Sequence, residues 1–320
     1  MKSYLVGTYT TGTPSHGLWR LTLNDEKTGF AAVEPVLSVD DPSWLCRRDR
    51  TLFVVSEHLR PGEDGQLLRF TRQDDGWYVP EGSASTGGEN PCHAALSPDG
   101  KTLCVANYTG GSAAVFRTKD LRLLGFHQGR THSIHPRQQS AHAHQAVFYR
   151  DGWLICDLGG DCIWHMKHDG SCREDFLRLP AGVGPRHAVL RENRLYVLTE
   201  LTNELMTLDP ESGRLLSRTS ALGDPAADRS AAGLHLFRDR LYASNRGEDT
   251  VSVFSLENPD SPRKIGTYPA GGKSPRDFLV TEDGILCACT DGVTWLKQEG
   301  TGFRLADSAA IPAAVRILEE

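Results

Sequence analysis

The order of apolar and polar positions along this chain repeats. Pro91-Cys92-His93-Ala94-Ala95-Leu96 is an apolar stretch, Ser97-Pro98-Asp99-Gly100-Lys101 a turn, Thr102-Leu103-Cys104-Val105-Ala106 a second apolar stretch, and Asn107-Tyr108 a polar end. Short apolar runs bounded by turn residues predict buried strands, and Asp-Gly supplies the positive φ that a tight hairpin needs. The same order returns from Pro42-Ser43-Trp44 to Ser56-Glu57, from His142-Ala143-His144 to Cys156-Asp157, from Pro185-Arg186-His187 to Thr199-Glu200, from Ala231-Ala232-Gly233 to Ser244-Asn245-Arg246, and from Pro275-Arg276-Asp277 to Thr290-Asp291.

Starts at 42, 91, 142, 185, 231 and 275 leave 43 to 51 residues per unit, room for about four short strands each. Third strands are visible as Leu67-Leu68-Arg69-Phe70, Ala113-Ala114-Val115-Phe116 and Val251-Ser252-Val253-Phe254. A seventh unit is split: Tyr4-Leu5-Val6-Gly7-Thr8 matches only the second strand, and Pro312-Ala313-Ala314-Val315-Arg316-Ile317-Leu318 only the first. The pattern predicts an all-β, seven-bladed β-propeller over residues 1–320 as a single domain, its ring closed by the C-terminal strand joining the N-terminal blade.

Composition agrees with this and narrows the partner. With 39% hydrophobic and 24% charged residues, 32 Gly and 17 Pro, the 320-residue chain suits many short strands and turns, not a coiled coil or a disordered chain. The net charge is -6 and neither sign forms long runs, so the expected partner is a small anionic molecule, with no nucleic acid and no membrane. No apolar stretch approaches membrane-spanning length, and Met1-Lys2-Ser3-Tyr4-Leu5-Val6-Gly7 passes straight into a strand pattern, which predicts a cytoplasmic protein. None of the eight Cys forms a Cys-x-x-Cys pair, so they are expected to be reduced, buried thiols. Oligomeric state has no signal.

The repeat also gives the polar residues an address. In an antiparallel hairpin the start of the first strand lies beside the end of the second. Strand ends therefore bring Thr8, Glu57, Asn107, Asp157, Glu200, Asn245 and Thr290 or Asp291 to the same face of the blades as the strand starts His93, His142, His144, Arg186, His187 and Arg276, at one mouth of the central channel. Any one of the Asn or Asp side chains can instead cap a strand end. Arg186, Arg246 and Arg276 call for an anion, because a guanidinium fork suits carboxylate or phosphate. The long polar segment from Gly129 to His144 contributes Arg137, and its His142-x-His144 spacing places both imidazoles on one side of a strand. That pair could chelate zinc, but no familiar ligand spacing accompanies it, and acid-base or hydrogen-bonding roles come first. His132 and His135 read as solvated loop residues.

Taken in order, Gly7-Thr8-Tyr9-Thr10, Ser97-Pro98-Asp99-Gly100-Lys101 with Ala106-Asn107-Tyr108, Arg137-Gln138 leading to His142-x-His144, Asp157-Leu158-Gly159, Gly184-Pro185-Arg186-His187, Glu200-Leu201 and Ser244-Asn245-Arg246-Gly247 resemble the lactonase family of seven-bladed propellers, which includes 6-phosphogluconolactonases and 3-carboxy-cis,cis-muconate cyclases. The resemblance spans essentially the whole chain. It implies hydrolysis of a sugar-acid lactone at a metal-independent site that needs no cofactor, with His144, Glu200, Arg186 and Arg246 as catalytic residues and Arg276 as the alternative second arginine. Around them Arg276, His93, His142, His187, Asn107, Asp157, Glu57 and Arg137 are candidate substrate-binding residues. Two positions depart from the family pattern: Ala141, where proline is usual before the first histidine, and the degenerate start Ala231-Ala232-Gly233. The alternatives are a muconate-type cycloisomerase, a non-enzymatic binding platform, and a lactonase holding a divalent cation through Glu57, Asn107, Asp157, Glu200 and Asn245.

Overall fold

The computed structural model describes residues 1–57 and 60–320, and among them there are strands and no helix. The strands form seven four-stranded antiparallel sheets, the arrangement of a seven-bladed β-propeller. By internal contacts the chain divides into two compact units, residues 1–38 with 189–320 and residues 39–188.

Within residues 39–188, the blades that open with Pro42–Arg48, Pro91–Leu96 and Ala143–Tyr149 run in simple meander order. Their second strands, Thr51–Ser56, Thr102–Asn107 and Gly152–Asp157, are buried almost throughout. A strand covered on both faces reads as a continuous apolar run, which is why these were visible in the sequence. Fourth strands such as Tyr78–Ser85 are largely exposed. Leu67, Val105 and Phe116 pack together from the first two of these blades, and Trp153, Trp164 and Met166 close against Val115 and Cys104 from the next.

The blade opening with Pro185–Arg191 continues into Arg194–Thr199, followed by the blades that start at Ala231–Phe237 and Asp277–Val280. The last blade is built from both ends of the chain. Ala314–Glu319 pairs with Lys2–Thr8, which pairs in turn with Gly17–Leu23. Predicted first-strand starts at 42, 91, 185 and 231 are met, while those at 142 and 275 move to 143 and 277. Gly100 has φ +67 in its hairpin, as the Asp-Gly signal requires. Several other hairpins place Asp49, Arg150 or Arg238 at positive φ, a signal that composition does not carry.

The thiols at Cys104, Cys156 and Cys287 are fully buried, and burial pushes each of them up in pKa, as expected of inert small side chains.

One buried carboxylate holds three consecutive blades of the first unit. Asp277 accepts from His235 Nε2 at 2.7 Å, from Arg316 Nη1 at 2.8 Å and from the Ile317 amide at 3.4 Å. His235, Asp277 and Arg316 lie on the first strands of successive blades, so the C-terminal strand is tied to its neighbours through side chains as well as through its ladder. Burial alone would raise the Asp277 carboxyl, but the charges of Arg316 and His235 and their hydrogen bonds outweigh it and hold the group well below the usual carboxylate range. A depressed folded-state pKa contributes stability that is present above the unfolded value, about 3.9, and is lost as the pH falls below it. Replacing Asp277 with Asn should cost about 3–5 kcal/mol at pH 7, because it removes the buried carboxylate that Arg316 and His235 are paired with. Denaturant unfolding of the variant and the wild type at pH 7 and at about pH 2.5, below the unfolded carboxyl value, checks both the size of the loss and its narrowing in acid.

Candidate functional site

A β-bulge positions the first group of side chains. Ala143 pairs with Asp157 and Gln145 with Cys156, so His144 is the extra residue between them. A bulge takes a residue out of the ladder and re-aims its side chain. The period-two argument that put His142 and His144 on one side of a strand therefore fails: His142 precedes the strand and His144 sits in its bulge. They meet Tyr108 differently. His142 stacks on its ring at 4.6 Å and 15°, whereas His144 meets the ring at 5.4 Å and 73°.

His144 is 4% exposed and His187 and His93 are equally buried. The His144 and His187 rings lie 5.4 Å apart edge-to-face, and His187 and His93 6.0 Å apart. Trp44 packs on His93 at 4.1 Å and donates from Nε1 to the Ala94 carbonyl at 2.9 Å. Cys92, the bulge residue of its own blade, brings Sγ within 3.8 Å of His144 Nδ1. Arg186 is buried at the start of the strand that also carries His187. Four imidazoles, one indole and a phenol thus form a single group of ring contacts within residues 39–188, in which Trp44, His93, His144 and His187 are buried and Tyr108 and His142 half-buried. Among the described residues, no three His, Cys, Asp or Glu side chains are grouped closely enough to hold a metal ion.

The second group lies within the other unit. Glu200 is 2% exposed and its Oε1 is 3.0 Å from Arg246 Nη2. Arg246 also donates to the Ser230 and Ala231 carbonyls, both at 3.3 Å. The degenerate start of that blade thus holds the guanidinium through its backbone carbonyls. Arg276 lies over the Tyr9 ring at 5.2 Å, a cation-π contact.

Several strand-end residues serve as caps. Asn107 Nδ2 donates to the Thr86 carbonyl at 3.2 Å and to Ser112 Oγ at 2.9 Å. Asn245 Nδ2 donates to the Ala221 carbonyl at 2.9 Å, and its Oδ1 accepts from Asn203. Asp157 Oδ1 accepts from the amides of His142, at 2.7 Å, and Gly159, at 3.0 Å, while Oδ2 accepts from Thr131. Burial pushes the Asp157 carboxyl up in spite of these donors. Asn107 and Asp157 are both fully buried and join strands and loops through these hydrogen bonds. Glu57 is buried after its strand, with its amide bonded to the Asp41 carbonyl. Arg137 is exposed and donates from Nη2 to Tyr108 Oη at 3.0 Å. His132 is exposed and His135 partly so, in keeping with loop roles.

Sequence reasoning missed Trp44, Tyr108 and Cys92 as parts of the group. Each occupied a quoted repeat position, but an apolar or aromatic residue there gives no sign that it faces imidazoles.

Seven four-stranded blades with buried His, Arg and Glu at strand starts and ends define a propeller enzyme of the lactonase type. A model of the lactonase family, described as a 7-bladed β-propeller, matches residues 3–294, and the chain belongs to that family. The 6-phosphogluconolactonase of Bacillus subtilis is 27% identical over 337 residues, covering 97% of this chain and 96% of that protein. The 6-phosphogluconolactonase of Formosa agariphila is 30% identical over 305 residues, covering 87% and 86%. Among solved structures, the periplasmic gluconolactonase of Pseudomonas aeruginosa matches with a TM-score of 0.88 at 25% identity, over 99% of this chain and 98% of that one.

Proposed function

We propose that this chain hydrolyses the internal ester of an anionic sugar acid, with gluconolactone or its 6-phosphate as substrate. The observation that carries the reading is His144, a buried imidazole lifted out of its ladder by a bulge and packed against Tyr108 and His187. The family match and the relatives named for phosphogluconolactone and gluconolactone support it. The setting we propose is cytoplasmic; among the described residues no helix is long and apolar enough to cross a membrane.

Water adds to the lactone carbonyl while His144 accepts its proton as general base. Arg186 stabilises the oxyanion of the tetrahedral intermediate, and Arg246, oriented by Glu200 and two backbone carbonyls, receives the carboxylate as it forms. Collapse breaks the bond to the ring oxygen, which takes the proton and leaves as the hydroxyl of the free acid. Between the two base candidates, the ion pair favours His144, because a carboxylate beside a guanidinium is a weaker base than an unpaired one.

Three measurements test this. Arg186→Ala should lose roughly 10²–10³ in kcat on a lactone panel, as for the loss of an oxyanion donor, with Glu200→Gln also impaired; full activity in both removes the assignment, and turnover of a muconate panel instead identifies a cycloisomerase. The wild-type kcat/KM should rise with pH along an acidic limb as the base loses its proton, and that limb should vanish in His144→Gln. A limb that persists in His144→Gln and vanishes in Glu200→Gln would transfer the role to Glu200. Activity should also persist in a chelator; loss that is restored by a divalent cation would favour an oxygen-ligand site.

A further inference from the structure

Tyr108 and Arg137 are tied together by more structure than an exposed pair requires. The Tyr108 ring is fixed on one face by the His142 stack, and His142 is fixed in turn, because its Nδ1 lies 2.9 Å from the Tyr108 carbonyl and its amide donates to Asp157. Arg137 stands on a loop whose fully buried Gln138 donates to the Leu158 carbonyl at 2.7 Å and to Asp161 at 2.8 Å, and accepts from the His135 amide at 3.1 Å. The Arg137 amide donates to His135 Nδ1 at 3.2 Å. Both residues are therefore held before any ligand arrives, which reduces the ordering cost of binding.

The chemistry of the pair suits an anion. The Tyr108 oxygen accepts from the guanidinium, so its own O–H is a donor beside the donor fork. Such a pairing matches phosphate oxygens better than neutral hydroxyls. The spacing selects which anion. The Tyr108 ring centre lies 5.4 Å from that of His144 and its hydroxyl meets Arg137, so the pair stands about one phenol ring from the proposed base. In a phosphorylated sugar δ-lactone the ester carbon and the phosphate lie across one ring plus one methylene, a span of the same order.

We propose that Tyr108 and Arg137 form the subsite by which this chain discriminates a phosphorylated lactone from its unphosphorylated counterpart. This rests on the lactone-hydrolysis reading and adds its specificity element.

The test is kcat/KM on glucono-δ-lactone and on its 6-phosphate for the wild type, Arg137→Gln, Arg137→Lys and Tyr108→Phe, with inorganic phosphate as competitive inhibitor. The ratio of phosphorylated to unphosphorylated kcat/KM should fall roughly ten- to a hundredfold in Arg137→Gln, the scale of a lost hydrogen bond to a charged group. It should recover in part in Arg137→Lys and fall severalfold in Tyr108→Phe, and inhibition by phosphate should weaken in parallel. A ratio within twofold of wild type in Arg137→Gln, or an equal fall on both substrates, overturns the inference and leaves lactone hydrolysis standing. A wild-type chain that hydrolyses neither lactone overturns the underlying reading as well.

Discussion

One extra residue near the start of the first strand is the constraint around which the site is built. The bulge residue is Ser43 between Pro42 and Trp44, Cys92 between Pro91 and His93, and His144 between Ala143 and Gln145. In the blade starting at Ala231 the skip covers Ala232 and Gly233, and in the blade made from both termini it falls at Val315. In these blades the ladder resumes immediately, so the buried second strand is kept while one or two positions escape the alternation. Bulges re-aim side chains without moving the sheet, so that position can vary in chemistry at little cost to the fold. Serine, cysteine and histidine at equivalent places show the range. Only the histidine brings a group that titrates near neutrality.

The polar strand ends divide by charge. Neutral Asn107 and Asn245 can both donate and accept, and they sit in the most buried positions, joining a strand end to the next carbonyl or hydroxyl. Asp157 can only accept while ionised, and it gathers two amides and a hydroxyl that would otherwise be unsatisfied where the long loop enters. Asn107, Asn245 and Asp157 thus tie strand ends to their neighbours. The histidines and arginines carry most of the remaining chemistry, and their side chains are the ones in contact with aromatic rings or a buried carboxylate.

The architecture was legible because strands buried on both faces leave continuous apolar runs, and because the split repeat named both strands of the blade that joins the termini. First-strand starts were missed by one residue at 142 and by two at 275, since proline and histidine mark the approach to a strand as readily as its first residue. The site was legible by residue type and address, and less so by geometry. A bulge has no composition signature, so the shared side assigned to His142 and His144 could not survive it. Ion pairing was equally hidden: nothing in the spacing of Glu200 and Arg246 says that they pair, because the contact joins the ends of second strands on two different blades.

Two buried ion pairs of the first unit make a useful contrast. A buried carboxylate is stabilising only when its desolvation is matched by several well-placed donors. Asp277 meets that condition, with a guanidinium, an imidazole and an amide on two oxygens, and it joins three blades. The Glu200–Arg246 pair joins the ends of two, and Arg246 also bonds two carbonyls while its side chain stays 14% exposed. Arg316, at 12%, is about as open, so exposure does not separate the two pairs; Arg246 differs in bonding the carbonyls at the blade start, where the hydrophobic packing of Tyr196, Leu198 and Leu241 already joins the blades. A firmly oriented cation that packing relieves of the work of cohesion is suited to receiving a second anion.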